Sequence, residues 1–223
     1  MKTEKILSGR NCTVLYDGVP DHILIQPTGR HESGYTEQEY EYIKRNTGKR
    51  IALISFEIKE WNIELSPWHA RQAFSDEEFG DGAKDTLGFI TDLLVPEIHS
   101  MFSSNIKHII GGYSLAGLFS LWSVYQTDAF SAAAACSPSV WIDGWNDYIR
   151  ERRPFTDNIY LSIGTKEHRT RNPLLQGVRD SVILQNEILQ QQEINTVLEF
   201  NPGNHFQDNM ERTSKGFLWC LNY

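Results

Sequence analysis

A serine flanked by small residues follows an apolar segment of the chain, within residues 109–119 (IIGGYSLAGLF). The apolar residues before it predict a buried strand, and those after it predict a helix. Because the turn between such a strand and helix is sharp, bulky side chains two residues before or after the serine would collide with their neighbours. Gly112 and Ala116 occupy those two positions around Ser114. The pattern therefore predicts an exposed nucleophilic hydroxyl, with the backbone N–H of Leu115 placed to donate to an oxyanion.

Two simpler interpretations of this segment have to be weighed. Gly112 and Gly117 also fit the glycine spacing of a phosphate-binding loop. The two residues after Gly117 are Leu118 and Phe119, however, where that motif needs a lysine and a serine or threonine. A serine that only caps a helix is common. The segment by itself therefore leaves a nucleophile and a helix cap equally open.

A histidine and a glutamate follow two further strand-like segments. His205 comes after a strand and a Pro-Gly turn in residues 193–206 (EINTVLEFNPGNHF). Glu167 ends the strand-like residues 159–167 (IYLSIGTKE). Taken singly, a loop histidine is usually solvated and a loop glutamate is usually a surface charge. The chain order serine, acid, histidine, each after a separate strand, is nevertheless the order expected for a catalytic triad in an α/β architecture, with His205 as general base.

Strand-like and helix-like segments alternate along the chain, which is typical of an α/β domain. Short apolar runs predict strands at residues 12–16, 22–26, 50–58, 106–110, 130–136, 158–163 and 196–200. Longer segments predict helices: a polar one at residues 35–45, an amphipathic one at 81–102, and others at 115–126, 174–192 and 209–221. No linker, repeat or low-complexity tract interrupts them, so residues 1–223 are expected to form one domain.

Composition and charge argue against several classes of protein. The 223 residues carry a formal net charge of −8 without a stripe of lysine and arginine, so no nucleic-acid partner is expected. A mean hydropathy of −0.42 and the lack of an apolar run of about 18 residues argue against a transmembrane helix. With no secretory signal visible, we expect a cytoplasmic protein without a membrane partner. No zinc-binding H-E-x-x-H pair, calcium loop or paired cysteine motif is present, so no metal or other cofactor is expected.

These motifs resemble those of esterases with the α/β-hydrolase fold, in the enterochelin esterase and esterase D group. The resemblance extends over most of the chain, in residues 55–70, 79–87, 111–122, 135–141, 162–172 and 201–206. It implies a mostly parallel central sheet with helices on both faces. It also implies hydrolysis of a small-molecule ester through an acyl-enzyme on Ser114, with His205 as base and Glu167 as acid. The wider group includes siderophore esterases, S-formylglutathione hydrolases and mycolyltransferases, so the resemblance leaves the substrate open.

Two other functions fit the same residues. An acyltransferase would use the same triad but hand the acyl group to another alcohol instead of water. A non-catalytic binding module could keep the hydrolase fold, although an intact set of serine, acid and histidine argues against it. A homo-oligomer is left open by the sequence.

Further site residues are expected from the fold that the resemblance implies. Since Pro27 has no N–H, the backbone of Thr28 is the nearest candidate for the second oxyanion donor after the strand 22–26. Aromatic residues at strand ends, each of which alone is more often a core residue, are expected to line the substrate pocket: Trp68, Tyr113, Trp141 and Phe206. Residues 137–157 leave room for one helix and not for a cap domain, so an open site is expected.

Overall fold

One large, mostly parallel sheet organises the chain in the computed structural model, which describes residues 1–29, 34–73, 77–102 and 106–223. The strands of these residues are, in chain order, β1 (Lys2–Leu7), β2 (Arg10–Tyr16), β3 (His22–Gly29), β4 (Ile51–Ile58), β5 (Ala70–Arg71), β6 (Glu78–Phe79), β7 (Lys107–Tyr113), β8 (Ala132–Cys136), β9 (Asn158–Gly164) and β10 (Asn195–Asn201). β5 and β6 pair with each other, and the other eight form the sheet in the order β1-β2-β4-β3-β7-β8-β9-β10.

The direction of the strands determines where the loops of a site can meet. β1 pairs antiparallel with β2, and β2 pairs antiparallel with β4. From β4 through β3, β7, β8 and β9 to β10, every pairing is parallel. Parallel strands bring their carboxyl ends to one edge of the sheet, which is where ligands bind in such folds. The loops that follow β7, β9 and β10 therefore lie at the same edge.

Helices cover both faces of the sheet, as the resemblance implied. The described helices are α1 (Thr36–Asn46), α2 (Trp61–Glu64), α3 (Ala83–Gly88), α4 (Val95–Met101), α5 (Leu115–Ser123), α6 (Trp145–Arg150), α7 (Pro173–Gln176), α8 (Val178–Gln191) and α9 (Asn209–Cys220). Alternate side chains of a strand point to opposite faces. Ile23 and Ile25 of β3 accordingly belong to the core with α5 and α8, whereas Leu24 belongs to the core with α1 and α9.

The closing helix α9 packs very near the central strands because two glycines leave space for it. A Cβ at Gly111 in β7 would lie 2.6 Å from the ring of Phe217, and one at Gly216 would lie 3.0 Å from the Cβ of Ala134. This packing places the first turn of α9 beside the carboxyl end of β7.

The helix expected over residues 81–102 contains a change in hydrogen bonding. It consists of α3, a π-helical segment (Phe89–Leu94) and α4. Pro96, near the start of α4, has no N–H to donate to the preceding turn, so the regular α-helical pattern cannot continue through it. The hydrophobic periodicity predicted the helix but not this widened turn.

A few elements were not predicted from the sequence, namely β1, the β5–β6 pair and α2. Between β8 and β9 the chain, which is described throughout this stretch, contains the single short helix α6, which agrees with the room for one helix expected there. None of the helices in the described part of the chain is both long and apolar enough to cross a membrane. The organisation as one domain stays a prediction.

Candidate active site

Ser114 lies in the turn between β7 and α5, where the backbone is strained. Its φ of 59° and ψ of −119° belong to a region that L-residues rarely adopt. The turn is tight on both sides, because a Cβ at Gly112 would lie 2.7 Å from the Cβ of Ala116. A Cβ at Gly117 would lie 2.9 Å from the carbonyl oxygen of Cys136. The structure therefore has the sharp strand-to-helix turn that the small residues predicted.

Three side chains from three strand ends meet beside this turn. The Nε2 of His205 lies 2.9 Å from the Oγ of Ser114, and its Nδ1 lies 2.8 Å from the Oε2 of Glu167. Two backbone hydrogen bonds of 2.8 and 2.9 Å join the loop that carries Glu167 to the loop that carries His205. A serine proton can pass to an imidazole held in this way, because the carboxylate fixes the Nδ1–H tautomer and leaves Nε2 as the acceptor.

Glu167 is a buried carboxylate that accepts several hydrogen bonds. Its side chain is 3% exposed, and its Oε1 accepts from the backbone N–H of Gly164 at 2.6 Å and from the hydroxyl of Ser137 at 2.7 Å. Burial is the largest single effect and would raise the pKa of Glu167, but hydrogen bonds led by the one to His205 outweigh it and lower that pKa below its ordinary value. The group is therefore a carboxylate at neutral pH.

The two backbone N–H groups expected to hold an oxyanion belong to a helix and to a strand: Leu115 lies in α5 and Thr28 in β3. Leu115 is the first residue of α5, where the N–H has no acceptor within the helix. Thr28 was expected on a loop, but β3 continues to Gly29 and Thr28 pairs with Glu57 of β4. The pairing of β3 with β7 ends at Ile25, so the last residues of β3 border the cavity in front of Ser114.

Ser114, His205 and Phe206 line two cavities that open on different sides of the nucleophile. The larger has a volume of about 670 Å³ and lies between the end of β3, α1 and the start of α9; its wall includes Thr28, Glu39, Tyr113, Asp208 and Glu211. The smaller has a volume of about 290 Å³ and lies on the β8–β9 side; its wall includes Trp141, Lys166 and Arg169. An ester needs space for an acyl group and an alcohol group on either side of the attacked carbon, and this arrangement provides both.

Comparison with known families decides which family these residues belong to. Residues 8–208 match the model of the family named Esterase, described as "Putative esterase". The chain belongs to the esterase family. The resemblance to esterases inferred from the motifs and the expectation of a carboxylic ester hydrolase are confirmed. No curated protein matches the sequence of this esterase.

Several solved structures share the fold of the esterase at low sequence identity. An IroE-like serine hydrolase from Shewanella oneidensis has a TM-score of 0.80 and 14% identity, over 98% of this chain and 79% of that one. Siderophore hydrolase EstA from Aspergillus nidulans has a TM-score of 0.74 and 15% identity, over 100% and 94% of the two chains. The enterobactin esterase FES from Shigella flexneri has a TM-score of 0.71 and 11% identity, over 99% and 59%. These similarities show the fold.

The four aromatic residues expected in the substrate pocket of the esterase are placed differently from one another. Tyr113 lines the larger cavity, Trp141 lines the smaller, and Phe206, 78% exposed, lines both. Trp68 is absent from the described residues that line either cavity. Its ring stacks on Trp145, and its Nε1 donates to a loop carbonyl at 2.8 Å. Trp68 therefore packs against α6 and does not line the two cavities beside Ser114, contrary to the expectation.

Two side chains that contact Glu167 were not predicted from the sequence, namely Ser137 and Arg212. Ser137 follows β8 with a φ of 43° and donates to the carboxylate. Arg212 belongs to α9, and its side chain is 1% exposed. The sequence did contain an indication that Arg212 is buried. Gly216 and Cys220 follow it at intervals of four residues, so the three lie on the same face of α9. An arginine on an otherwise small or apolar face has to find a buried partner.

Proposed function

We propose that this chain hydrolyses esters of small molecules through an acyl-enzyme intermediate on Ser114. The observation that carries the proposal is the continuous chain of hydrogen bonds from Ser114 through His205 to Glu167, with distances of 2.9 and 2.8 Å. Each residue follows a different strand, so only the folded chain assembles the set. The strained backbone at Ser114 and the burial of Glu167 agree with a site under functional constraint.

The proposed reaction has two acyl-transfer steps. His205 takes the Ser114 proton at Nε2 while Oγ attacks the ester carbonyl, and the Leu115 N–H, together with the Thr28 backbone, stabilises the oxyanion. His205 then protonates the leaving alcohol, and water follows the reverse path to release the acid. Loss of one oxyanion donor is expected to cost about 3–4 kcal/mol of transition-state stabilisation. Glu167 stays ionised and stabilises the imidazolium throughout.

Covalent labelling tests the nucleophile without knowledge of the substrate. A fluorophosphonate is expected to label the protein once, on Ser114, as peptide mapping by mass spectrometry would show. The labelling rate should rise from acidic to neutral pH, because a protonated imidazole cannot accept the serine proton. Absence of labelling would favour a binding module, and a flat pH dependence would argue against a histidine base.

Hydrolysis and acyl transfer are distinguished by the fate of the acyl group. Adding candidate acceptor alcohols to a reaction with a p-nitrophenyl ester should leave the free acid as the main product. A transferred ester as the main product would favour the acyltransferase. Because two of the similar structures are siderophore and enterobactin hydrolases, ester siderophores belong in the substrate panel beside p-nitrophenyl and feruloyl esters.

We expect a preference for short acyl chains, because α6 alone lies between β8 and β9 and no cap of helices lengthens the site. Each buried CH₂ contributes only about 0.8 kcal/mol, and an open site buries few of them. The value of kcat/KM should therefore be higher for acetyl and butyryl esters than for the palmitoyl ester, measured below the concentration at which the long ester aggregates. An optimum at the palmitoyl ester would reveal a deep tunnel and contradict the open site.

Other properties expected from the sequence remain predictions. These are the cytoplasmic location, the lack of a nucleic-acid partner, the lack of a metal or other cofactor, and the oligomeric state.

A further inference from the structure

A buried arginine lies directly behind the proposed catalytic acid. The Nη1 of Arg212 lies 3.2 Å from the Oε1 of Glu167, the oxygen that does not face His205. Both side chains are almost fully enclosed, with 1% and 3% of their surfaces exposed. A buried ion pair is costly to desolvate and is often no more stabilising than apolar residues of similar volume. Stability alone therefore gives a weak reason for an arginine at this place.

The guanidinium of Arg212 connects three parts of the site. Its Nη1 also donates to the Oη of Tyr113 at 2.9 Å, and its Nη2 donates to the carbonyl oxygen of Pro202 at 2.8 Å. Tyr113 in turn donates its hydroxyl proton to the carbonyl oxygen of His205 at 2.8 Å. Burial raises the pKa of Tyr113 to about 12, so the phenol keeps the proton that it donates. One side chain thus holds the glutamate, the end of β7 and the histidine loop.

We propose that Arg212 is a positioning residue that holds the Glu167 carboxylate in the orientation in which its second oxygen meets Nδ1 of His205. This inference rests on the proposed triad and adds a fourth residue to it. The planar guanidinium has several donors in a fixed geometry, which a lysine ammonium cannot reproduce. Arg212 is not among the described residues that line either cavity, so it acts on kcat through Glu167 and not on substrate binding.

A double-mutant cycle tests this inference, with the wild type, Arg212→Met, Glu167→Gln and the double variant. Arg212→Met is expected to lower kcat at least tenfold, with KM unchanged within about twofold. In the Glu167→Gln background the same change should alter kcat by less than about threefold, because the carboxylate that Arg212 positions is gone. Equal effects in both backgrounds would mean that Arg212 only supports the fold and would overturn the inference. Wild-type kcat in Arg212→Met would also overturn it.

Two further variants keep the test informative if Arg212→Met unfolds. Arg212→Lys retains the charge but loses the planar guanidinium with its several donors. Its kcat should therefore lie between those of the wild type and Glu167→Gln, and an unchanged kcat would contradict the inference.

Arg10→Met is the matched control, because Arg10 also forms an ion pair with a poorly exposed glutamate, Glu64, and stacks on Phe89. It should leave kcat at the wild-type value. If Glu167→Gln itself retained wild-type kcat, the proposed triad would fail, which differs from failure of the role of Arg212.

Discussion

Replacing Ser114 with alanine is expected to lower kcat for a p-nitrophenyl ester by about 10⁴- to 10⁶-fold, and His205→Ala by a similar factor. Triad members act as a unit, so removal of either the nucleophile or its base abolishes the covalent route. The His205 Nε2 lies 2.9 Å from the Ser114 Oγ, which is the hydrogen bond that both substitutions break. Steady-state kinetics on the two variants and on the double variant measure the effect. The kcat of the double variant should lie within about tenfold of the kcat of the slower single variant.

The control for this prediction is a serine outside the site. Ser120 lies on the same helix as Leu115, is fully buried, and donates its hydroxyl proton to the Ala116 carbonyl at 2.8 Å. Ser120→Ala removes one hydroxyl from the same helix without touching the hydrogen bond to His205, so it should retain wild-type kcat. If Ser114→Ala kept more than about a tenth of the esterase activity, the assignment of the nucleophile would be wrong.

Glu167→Gln is expected to lower kcat by about 10³- to 10⁴-fold, although the side chain keeps its size. The Oε1 position accepts from the Gly164 N–H, the Ser137 hydroxyl and the Arg212 guanidinium. These donors require an oxygen there, so the glutamine amide nitrogen is directed to the Oε2 position. An N–H₂ at that position faces Nδ1 of His205, which must then act as acceptor and carry its proton on Nε2. That tautomer cannot take the serine proton.

Kinetics and thermal unfolding together measure this effect. The variant leaves the buried Arg212 without a counter-charge, so a loss of stability of about 3–5 kcal/mol is expected beside the loss of activity. Assays well below the midpoint of unfolding separate the two effects. Glu199→Gln is the control, because Glu199 accepts the hydroxyl proton of Tyr160 and is not among the described residues that line either cavity. A drop in kcat of less than about tenfold in Glu167→Gln would show that another group orients the histidine.

Local sequence determined most of the elements of this esterase and the residues at its strand ends. The alternation of apolar runs and the small residues around Ser114 depend only on near neighbours in the chain. The order of the three proposed catalytic residues can be seen directly in the sequence. The tight turn at Ser114 needs small residues at 112 and 116, because larger side chains there would collide with each other. All these residues lie close together in the chain, so the turn could be inferred without a structure. The family could be inferred for the same reason, because its motifs are short and local.

Tertiary packing decided which of the candidate residues meet. Trp68 and Trp141 were both expected to line the substrate pocket. Trp68 stacks on Trp145, whereas Trp141 lines the smaller cavity. This difference depends on contacts made by distant parts of the chain. Arg212 is 45 residues from Glu167 in the chain, and its role depends on the close packing of α9 against β7. A sequence pattern predicts which faces of the helices and strands are apolar. The partner of a buried charge, in contrast, depends on how those faces pack together in three dimensions.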